Sequence, residues 1–233
     1  GLVGSEMCIR DSALSFPAVM QKVYLWMALA LAMTGLTSLA VVTQPALMNA
    51  IFSAPFLFYG LLIAEVGLVW FLSARIHKLS FMTAGVLFAL YAILNGVTLS
   101  SIFLVYAQAT IVNAFLITAG TFGAMSFVGL FIKKDLSMMG RILTMAVIGL
   151  IIALVVNMFW GNSMFDLLIS LAGVVIFTGL TAYDTQKIKR LVTQYSQMDE
   201  ESTMKVALMG SLTLYLDFVN LFLYILRLLG RRR

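Results

Sequence analysis

The sequence contains little charge and almost none of the side chains that bind metals or form disulfides. Among 233 residues there is one cysteine, Cys8, and one histidine, His77, and only 11% of the residues are charged. A single thiol forms no internal disulfide, and one thiol with one imidazole is too few ligands for a zinc centre. A soluble domain normally carries about a quarter charged residues. These scarcities exclude a disulfide scaffold, a thiolate or imidazole metal centre and an ordinary soluble domain.

Long hydrophobic runs take the place of the missing charge. Hydrophobic residues make up 62% of the chain, and the mean hydropathy is +1.03. A helix that crosses a bilayer needs about 20 mainly apolar residues. Seven runs meet or approach this length: residues 23–42, 56–74, 81–106, 111–132, 142–160, 167–183 and 206–229. Because the runs are continuous rather than alternating, they favour helices over barrel strands. The sequence therefore predicts an all-α polytopic membrane protein with seven transmembrane helices.

The runs also predict how the chain is divided. Residues 16–230 are expected to form a single seven-helix membrane domain. Residues 1–15 differ in character and are interpreted as a flexible tail or a remnant of an expression vector, so they are excluded from fold reasoning. Residues 231–233 are three arginines and form a basic C-terminal tail. The polar stretch 185–205 is expected to be a loop between the sixth and seventh helices.

Lysine and arginine are distributed asymmetrically among the connections between the runs. The connections on one side contain Lys78, Lys133, Lys134 and other cations, whereas the three on the opposite side contain none. Since cytoplasmic loops are enriched in Lys and Arg, the N-terminus is predicted to be cytoplasmic. A complete seventh crossing, favoured over a re-entrant helix, then puts residues 231–233 outside, against the rule. The net charge of +5 thus reflects topology, and no nucleic-acid partner is expected.

Ionisable groups within the hydrophobic runs are the main candidates for function. Burying a charge in the membrane costs about 2.5–3.5 kcal/mol on an insertion scale, so each instance needs a reason. In the last run, steps of three and four residues place polar side chains on one stripe of a helix. The stripe consists of Gly210, Thr213, Asp217, Asn220, Tyr224 and Arg227. It cannot face lipid, so six helices are predicted to pack around a central C-terminal helix.

Helix geometry also predicts which of these groups meet. A rise of 1.5 Å per residue puts Asp184 and Asp217 at a similar depth, with Arg75 within reach. Glu65 and Arg227 lie further out, as a second ion pair or as pore lining together with Asn220, Tyr224 and Thr213. Two carboxyl groups in a dry site would share a proton and form a pH switch, whereas a bidentate arginine favours their ionised forms. The same residues also allow static ion pairs that only hold helices together, or Asp184 as a solvated helix end.

Two sequence tracts resemble the Bax inhibitor-1 family. They are FTGLTAYDTQKI at residues 177–188 and LTLYLDFVNLF at residues 212–222, and the resemblance extends over residues 16–230. It implies six helices around a central one and a passive, pH-sensitive calcium leak. It also implies that Asp184 and Asp217 form a hydrogen-bonded sensor engaged by Arg75, with Glu65 and Arg227 as further counterparts. A bacterial member would lie in the inner (plasma) membrane.

The resemblance leaves two functions open. The first is a pH-sensitive calcium leak channel gated by the aspartate pair, with Ca²⁺ as the transported ion and a transient contact at Asp184 and Asp217. The second is a non-conducting regulator that binds a membrane protease or a stress or cell-death partner, since family members are linked to such processes. Neither is an enzyme, and no cofactor is expected. The expected partners are the lipid bilayer, calcium ions and a membrane protein.

Overall fold

The protein is built from α-helices. A computed structural model describes residues 15–195 and 199–230, and in these ranges it contains nine helices and no strand. They are α1 (Phe16–Val42), α2 (Pro45–Phe52), α3 (Pro55–Arg75), α4 (Phe81–Leu99), α5 (Ile102–Val105), α6 (Gln108–Phe131), α7 (Ser137–Trp160), α8 (Ser163–Tyr195) and α9 (Glu200–Gly230). Seven spans are long and apolar enough to cross a membrane, with α4 and α5 counted as one. The predicted all-α polytopic membrane protein is confirmed.

The helix ends follow local sequence signals. The three prolines of the chain, at positions 17, 45 and 55, all lie in the first turn of α1, α2 or α3. A proline there loses no helical hydrogen bond, because the first N–H groups have no partner within the helix. Ser80 caps α4 by accepting a hydrogen bond from the Thr83 N–H at 3.1 Å. Gly161 ends α7 with a φ of 59°, which glycine adopts without strain.

The described chain divides into two compact units. The first unit contains α1 to α5, the end of α8 from Arg190, and α9 up to Tyr215. The second unit contains α6, α7, the rest of α8 up to Lys189, and α9 from Leu216. Residues 1–14 and 231–233, for which the sequence predicts a tail at each end, lie outside the described residues.

The connection between the last two long helices differs from the expected loop. Residues 185–195 continue α8, and residues 200–205 already belong to α9. The continuation is amphipathic, because Thr185, Ile188 and Val192 recur every three or four residues and are buried, while Lys187 and Arg190 are exposed. The drop in hydropathy after Tyr183 therefore marks a change from an apolar to an amphipathic helix rather than its end. The prediction of a loop over 185–205 was wrong for these residues.

Two further short helices fall where the hydropathy pattern predicts a simple break or a continuous span. The connection 43–55 contains α2, which begins at Pro45 and ends at Phe52. The third span is interrupted after Leu99, and a single helical turn, α5, follows. The hydroxyl groups of Ser100 and Ser101 donate to the carbonyls of Val97 and Thr98 at 2.6 and 2.8 Å. Such local hydrogen bonds compete with the regular helix and explain the interruption.

The last helix is the most enclosed of the seven spans. In its most apolar 18-residue segment 72% of the residues are buried, compared with 39% or less for the other spans. The corresponding fractions are only 6% for α7 and 11% for α3, whose surfaces are left to face lipid. A helix that carries a polar stripe needs this enclosure, since unsatisfied polar groups are costly in hydrocarbon. The burial of α9 agrees with its predicted central position.

Candidate functional site

Two buried aspartates form the core of the candidate site in the second unit. The carboxyl groups of Asp184 of α8 and Asp217 of α9 are close enough to interact with each other. Their exposed fractions are only 9% and 5%. A hydrogen bond between two carboxyl groups requires a proton on one of them, because an ionised carboxylate is only an acceptor. When the two carboxyl groups form such a hydrogen bond, the pair carries at most one negative charge.

The surroundings offer Asp217 little further stabilisation. Its Oδ2 atom is buried and has no hydrogen-bond partner among the described residues. The next residue, Phe218, packs against the rings of Phe115 and Phe122 of α6, with centroids 5.6 and 5.4 Å apart. An ionised carboxylate in apolar surroundings is unfavourable unless it is paired. The site therefore favours the arrangement in which the two acids share a proton.

Close helix contacts fix the position of α8 beside this pair. An added Cβ at Gly129 of α6 would lie 2.9 Å from the Cβ of Thr185 and would also collide with the backbone of Ala182. At Gly140 of α7 it would collide with the ring of Tyr183. Contacts this close require glycine, because real side-chain atoms do not approach backbone to such distances. The residues on either side of Asp184 are thus held by α6 and α7.

Gln186 adds hydrogen bonds to the adjoining segment two residues further along α8. Its Oε1 atom accepts a hydrogen bond from the Leu136 N–H, and its Nε2 atom donates to the Lys134 carbonyl, both at 2.9 Å. Lys189 donates to the Leu130 carbonyl at 2.6 Å. These contacts satisfy backbone groups in the connection between α6 and α7, which no helical partner reaches. The tract from Tyr183 to Gln186 is therefore a structural unit around Asp184, a role that hydropathy alone does not reveal.

A second polar cluster of this unit contains Arg227 and an acid that the sequence interpretation missed. The Nη2 atom of Arg227 forms a salt bridge with Oδ1 of Asp166, and Asn157 lies 3.4 Å from the same oxygen. Asp166 is in the first turn of α8, where the exposed N–H groups favour a carboxylate. It follows a Gly-Asn break, just before the run 167–183. The Gly-Asn break was the available signal. The interpretation considered only charges inside the hydrophobic runs and therefore missed Asp166.

The remaining polar residues of the stripe on α9 have local partners. Tyr224 stacks on Phe177 with ring centroids 5.8 Å apart, and it lies against Gly173, where a Cβ would collide with its ring. The amide of Asn220 donates to the Leu216 carbonyl of its own helix at 2.8 Å. Thr213, in the first unit, likewise donates to the Met209 carbonyl at 3.0 Å. Their predicted part in lining a pore stays a prediction.

The first unit contains a buried acid of its own, Glu65 on α3. Its exposed fraction is 8%, and it accepts a hydrogen bond from the Thr98 hydroxyl of α4 at 2.8 Å. Nearby, the Tyr215 hydroxyl shares a hydrogen bond with the Thr34 hydroxyl at 2.6 Å. The sequence suggests Arg227 as a possible ion-pair partner of Glu65. In the structure Glu65 accepts a hydrogen bond from a neutral residue, Thr98. Arg227 has the separate acid described above.

Arg75 occupies the last position of α3 in the first unit. The side chain is exposed, and its guanidinium lies 5.9 Å from the centre of the Phe71 ring. The sequence predicts that Arg75 engages the acids Asp184 and Asp217, which belong to the second unit. That engagement stays a prediction.

The chemistry available at the acid pair is proton sharing and weak cation contact. Among residues 15–195 and 199–230 there is no group of three or more His, Cys, Asp or Glu side chains that would hold a metal ion. Calcium takes six to eight oxygen ligands in a tight site. Two carboxylates provide too few ligands for tight calcium binding.

Known proteins resemble the chain over nearly its whole length. Residues 17–233 match the family model described as inhibitor of apoptosis-promoting Bax1. The inner membrane protein YbhL of Escherichia coli K12 is 44% identical over 92% of both chains. An uncharacterized protein of Borreliella burgdorferi is 46% identical over 91% of both chains. The uncharacterized protein RP147 of Rickettsia prowazekii is 40% identical over 92% of this chain and 89% of its own.

Proposed function

This chain belongs to the Bax inhibitor-1 family, and from that membership we propose that it is a pH-sensitive passive calcium leak channel of the bacterial inner membrane. The observation that carries the proposal is the buried pair of neighbouring carboxyl groups, Asp184 and Asp217. One of the two acids is on α9, the most enclosed span. A buried acid pair inside a membrane is costly, and such groups commonly mark ion or proton pathways.

The proton shared by the pair acts as the gate. At low pH one carboxyl is protonated and the contact between Asp184 and Asp217 is made. As the pH rises this proton is lost, and two carboxylates about 4 Å apart repel by about 4 kcal/mol at an effective dielectric constant of about 20. The pair then separates and both carboxylates become available to a cation. Calcium flux should therefore rise with pH.

Arg75 and Ca²⁺ have defined parts in this cycle. An arginine beside an ionised carboxylate stabilises it through charge-assisted hydrogen bonds, so Arg75 holds the separated state. Ca²⁺ prefers hard oxygen ligands, and two carboxylates bind it only transiently, as passive conduction requires. The cycle needs no cofactor and no catalytic step. The N-terminus is cytoplasmic in this proposal, since the connections on that side carry the cations.

The exposed acid Asp199 is an unsuitable source of the pH response. It caps α9 by accepting a hydrogen bond from the Ser202 N–H at 2.8 Å. This backbone hydrogen bond, with one from the Ser202 side chain, lowers the pKa of Asp199 below its ordinary value. Because its pKa is lowered, Asp199 stays ionised through the whole neutral range. A response near neutral pH must come from other groups, which favours the buried pair.

Calcium flux into proteoliposomes at a series of pH values tests the proposal. The wild type should leak more calcium as pH rises, and Asp184→Asn and Asp217→Asn should each leak at a rate independent of pH. Asparagine donates its amide hydrogen without a proton from solvent, so the contact no longer titrates. Glu65→Gln is the matched control, a buried acid outside the pair, and it should keep the wild-type pH dependence. An unchanged pH dependence in both aspartate variants would contradict the proposal.

A non-conducting regulator is the second candidate. The segment where α8 ends and α9 begins exposes charged side chains, including Lys187, Arg190 and Glu200, which suit docking of another membrane protein such as a protease. Charge reversal of these three residues should then abolish co-purification with the partner. The wild type would show no calcium flux at any pH. Flux without any partner protein would favour the channel instead.

A further inference from the structure

An apolar groove runs between α1 and α4 in the first unit, beside α9. Its volume is about 180 Å³, and every residue that lines it is apolar. The principal lining residues are Trp26, Leu29, Met33, Phe81, Gly85 and Leu208. An apolar cavity of about 150 Å³ takes up a molecule such as benzene. The groove therefore has room for a stretch of hydrocarbon chain but not for a complete lipid.

The groove exists because α1 and α4 touch at two levels and separate between them. At one level the rings of Trp26 and Phe81 pack with centroids 5.3 Å apart. At the other, Gly96 is so close to α1 that an added Cβ would lie 2.6 Å from the Thr34 carbonyl oxygen. Between these contacts Gly85 contributes no side chain, and a Cβ there would meet nothing within 4 Å. The open space is thus part of the helix packing.

The open side of the groove faces outward from the protein. Leu29, one of its walls, is 53% exposed, although it lies in the middle of a membrane-spanning helix. At this depth the medium around a membrane protein is made of acyl chains. The natural occupant of the groove is therefore a segment of lipid chain.

One end of the groove carries positive charge. Lys22 precedes Trp26 by one helical turn on the same face of α1, and its Nζ atom lies 3.8 Å from the thioether sulfur of Met204. A thioether is a weak acceptor, so this contact satisfies little of the ammonium group. On α9, Met204 likewise precedes the groove residue Leu208 by one turn. Lys22 therefore lies directly beyond the end of the groove at which Trp26 packs against Phe81.

The charge at this end is not offset by acids of α1 or α4. Residues 15–35 and 76–98 contain no Asp or Glu, and Lys78 lies three residues before Phe81 with its side chain exposed. Helix α4 begins at Phe81, so its positive N-terminal end adds to the charge. On α9, Glu201 is already paired with Lys205 at 2.9 Å, whereas Glu200 is exposed one turn before Met204 and offsets part of the positive charge. With two lysines against this one acid, the charge pattern complements a single negative headgroup.

We propose that the first unit binds an anionic phospholipid, with part of one acyl chain in this groove and the phosphate at Lys22 and Lys78. Tryptophan and lysine commonly mark the level of lipid headgroups, and Trp26 and Lys22 have this order along α1. A zwitterionic lipid offers the same chain, but the positive group in its head offsets the phosphate. At roughly 1 kcal/mol per basic residue, one effective lysine gives about a fivefold preference for the anionic lipid. The site is independent of the aspartate pair.

Fluorescence of Trp26 reports directly on the groove. The chain has three tryptophans, and Trp70 and Trp160 are 73% and 80% exposed, so Trp70→Phe and Trp160→Phe together leave Trp26 as a single probe with little change in packing. This protein is reconstituted into phosphatidylcholine vesicles that contain a small fraction of a lipid brominated on its chains. Brominated phosphatidylglycerol should quench Trp26 at about fivefold lower mole fraction than brominated phosphatidylcholine.

Four variants of the single-tryptophan protein make the test specific. Lys22→Gln should remove the preference for phosphatidylglycerol, whereas Lys133→Gln, the same charge change at an exposed residue outside the first unit, should leave it unchanged. Gly85→Leu fills the groove and should reduce quenching by both brominated lipids. Gly35→Leu is its matched control, because Gly35 on α1 also has open space but does not line the groove.

Either of two results would overturn the proposal. One is equal quenching by the two brominated lipids in the single-tryptophan protein. The other is a preference for phosphatidylglycerol that Lys22→Gln leaves intact, which would mean that anionic lipid gathers around the protein without a site. If Gly85→Leu fails to fold, two comparisons still test the proposal. One is between the two brominated lipids, and the other is between Lys22→Gln and Lys133→Gln.

Discussion

Each of the two units buries carboxyl groups in a membrane span, but the partners of these groups differ between the units. In the first unit Glu65 stands alone and accepts a hydrogen bond from a neutral hydroxyl, that of Thr98. In the second unit Asp184 and Asp217 face each other and need a proton to make their contact. A neutral donor works in the same way at any ordinary pH, whereas a shared proton is lost as the pH rises. The difference separates a structural acid from a pH-responsive pair.

The helix contacts near the two sites are alike, because each depends on a glycine. In each unit a glycine brings two helices together: Gly96 joins α4 to α1, and Gly129 joins α6 to α8. Both glycines meet backbone carbonyls of the neighbouring helix, which cannot move aside as a side chain can. The two regions thus differ in their acids rather than in how their helices pack.

The largest effect is expected from filling the contact beneath the aspartate pair. Gly129→Val would force α6 away from α8 and should lower the free energy of unfolding by about 3 kcal/mol or more, at the upper end of overpacking effects. Thermal unfolding in detergent, followed by the loss of monodisperse protein, measures this change. Gly120→Val is the control on the same helix, since a Cβ at Gly120 meets nothing within 4 Å. Equal stability of the two variants would contradict the packing described for α8.

The next effect concerns the lone acid of the first unit. Thr98→Val removes the hydroxyl that donates to Glu65, and leaving a buried acceptor without a donor costs about 1–3 kcal/mol. We expect a lower melting temperature and an unchanged dependence of calcium flux on pH. Thr118→Val is a suitable control, because the Thr118 hydroxyl is also buried but donates only to the Ala114 carbonyl of its own helix. A shifted pH dependence in Thr98→Val would mean that Glu65 takes part in gating.

A smaller effect is expected at the ion pair between Arg227 and Asp166. Their side chains are 31% and 28% exposed, so solvent screens the attraction and the coupling should be at most about 1 kcal/mol. A double-mutant cycle with Arg227→Gln and Asp166→Asn, read by thermal unfolding, measures the coupling. A coupling of several kcal/mol would show that this ion pair interacts as strongly as a buried one.

The smallest effect should come from the surface pair between Glu201 and Lys205. These residues are one turn apart on α9, and Glu201 is 63% exposed. Pairs of this kind on a helix stabilise it by about 0.3–0.5 kcal/mol. Glu201→Gln should leave both the melting temperature and the flux close to those of the wild type. A clear loss of flux at unchanged stability would show that this pair contributes to conduction and not only to the helix.

Hydropathy predicted the spans well because lipid imposes a simple rule on them. A helix exposed to acyl chains, such as α7, must be apolar along its length, and its continuous run is visible in the sequence. The polar stripe of α9 could be read for the opposite reason, since polar side chains at this depth require shelter. Both predictions follow from the solvent, which acts on every residue of a span.

The pattern failed where a neighbour rather than the solvent decides the structure. The end of α8 is amphipathic, so the fall in hydropathy after Tyr183 was mistaken for the end of the helix. The partner of Arg227 was missed because Asp166 stands before a hydrophobic run and not within one. The role of Gln186 depends on carbonyl and N–H groups of another connection. Contacts between distant segments leave no periodic signal in a single sequence.

In the proposed mechanism Asp184 and Asp217 share one proton, and the loss of this proton opens the leak. Infrared spectroscopy of the protein in lipid follows this proton, since a protonated carboxyl group has a C=O band that disappears on ionisation. Recorded on the same vesicles as the flux, the band should fall with rising pH as calcium flux increases. Because other acids such as Glu65 absorb in the same region, the band of the pair is the part that the Asp184→Asn, Asp217→Asn double variant lacks. Identical bands in the wild type and the double variant, or a flux that rises while the band of the pair persists, would contradict the proposed mechanism.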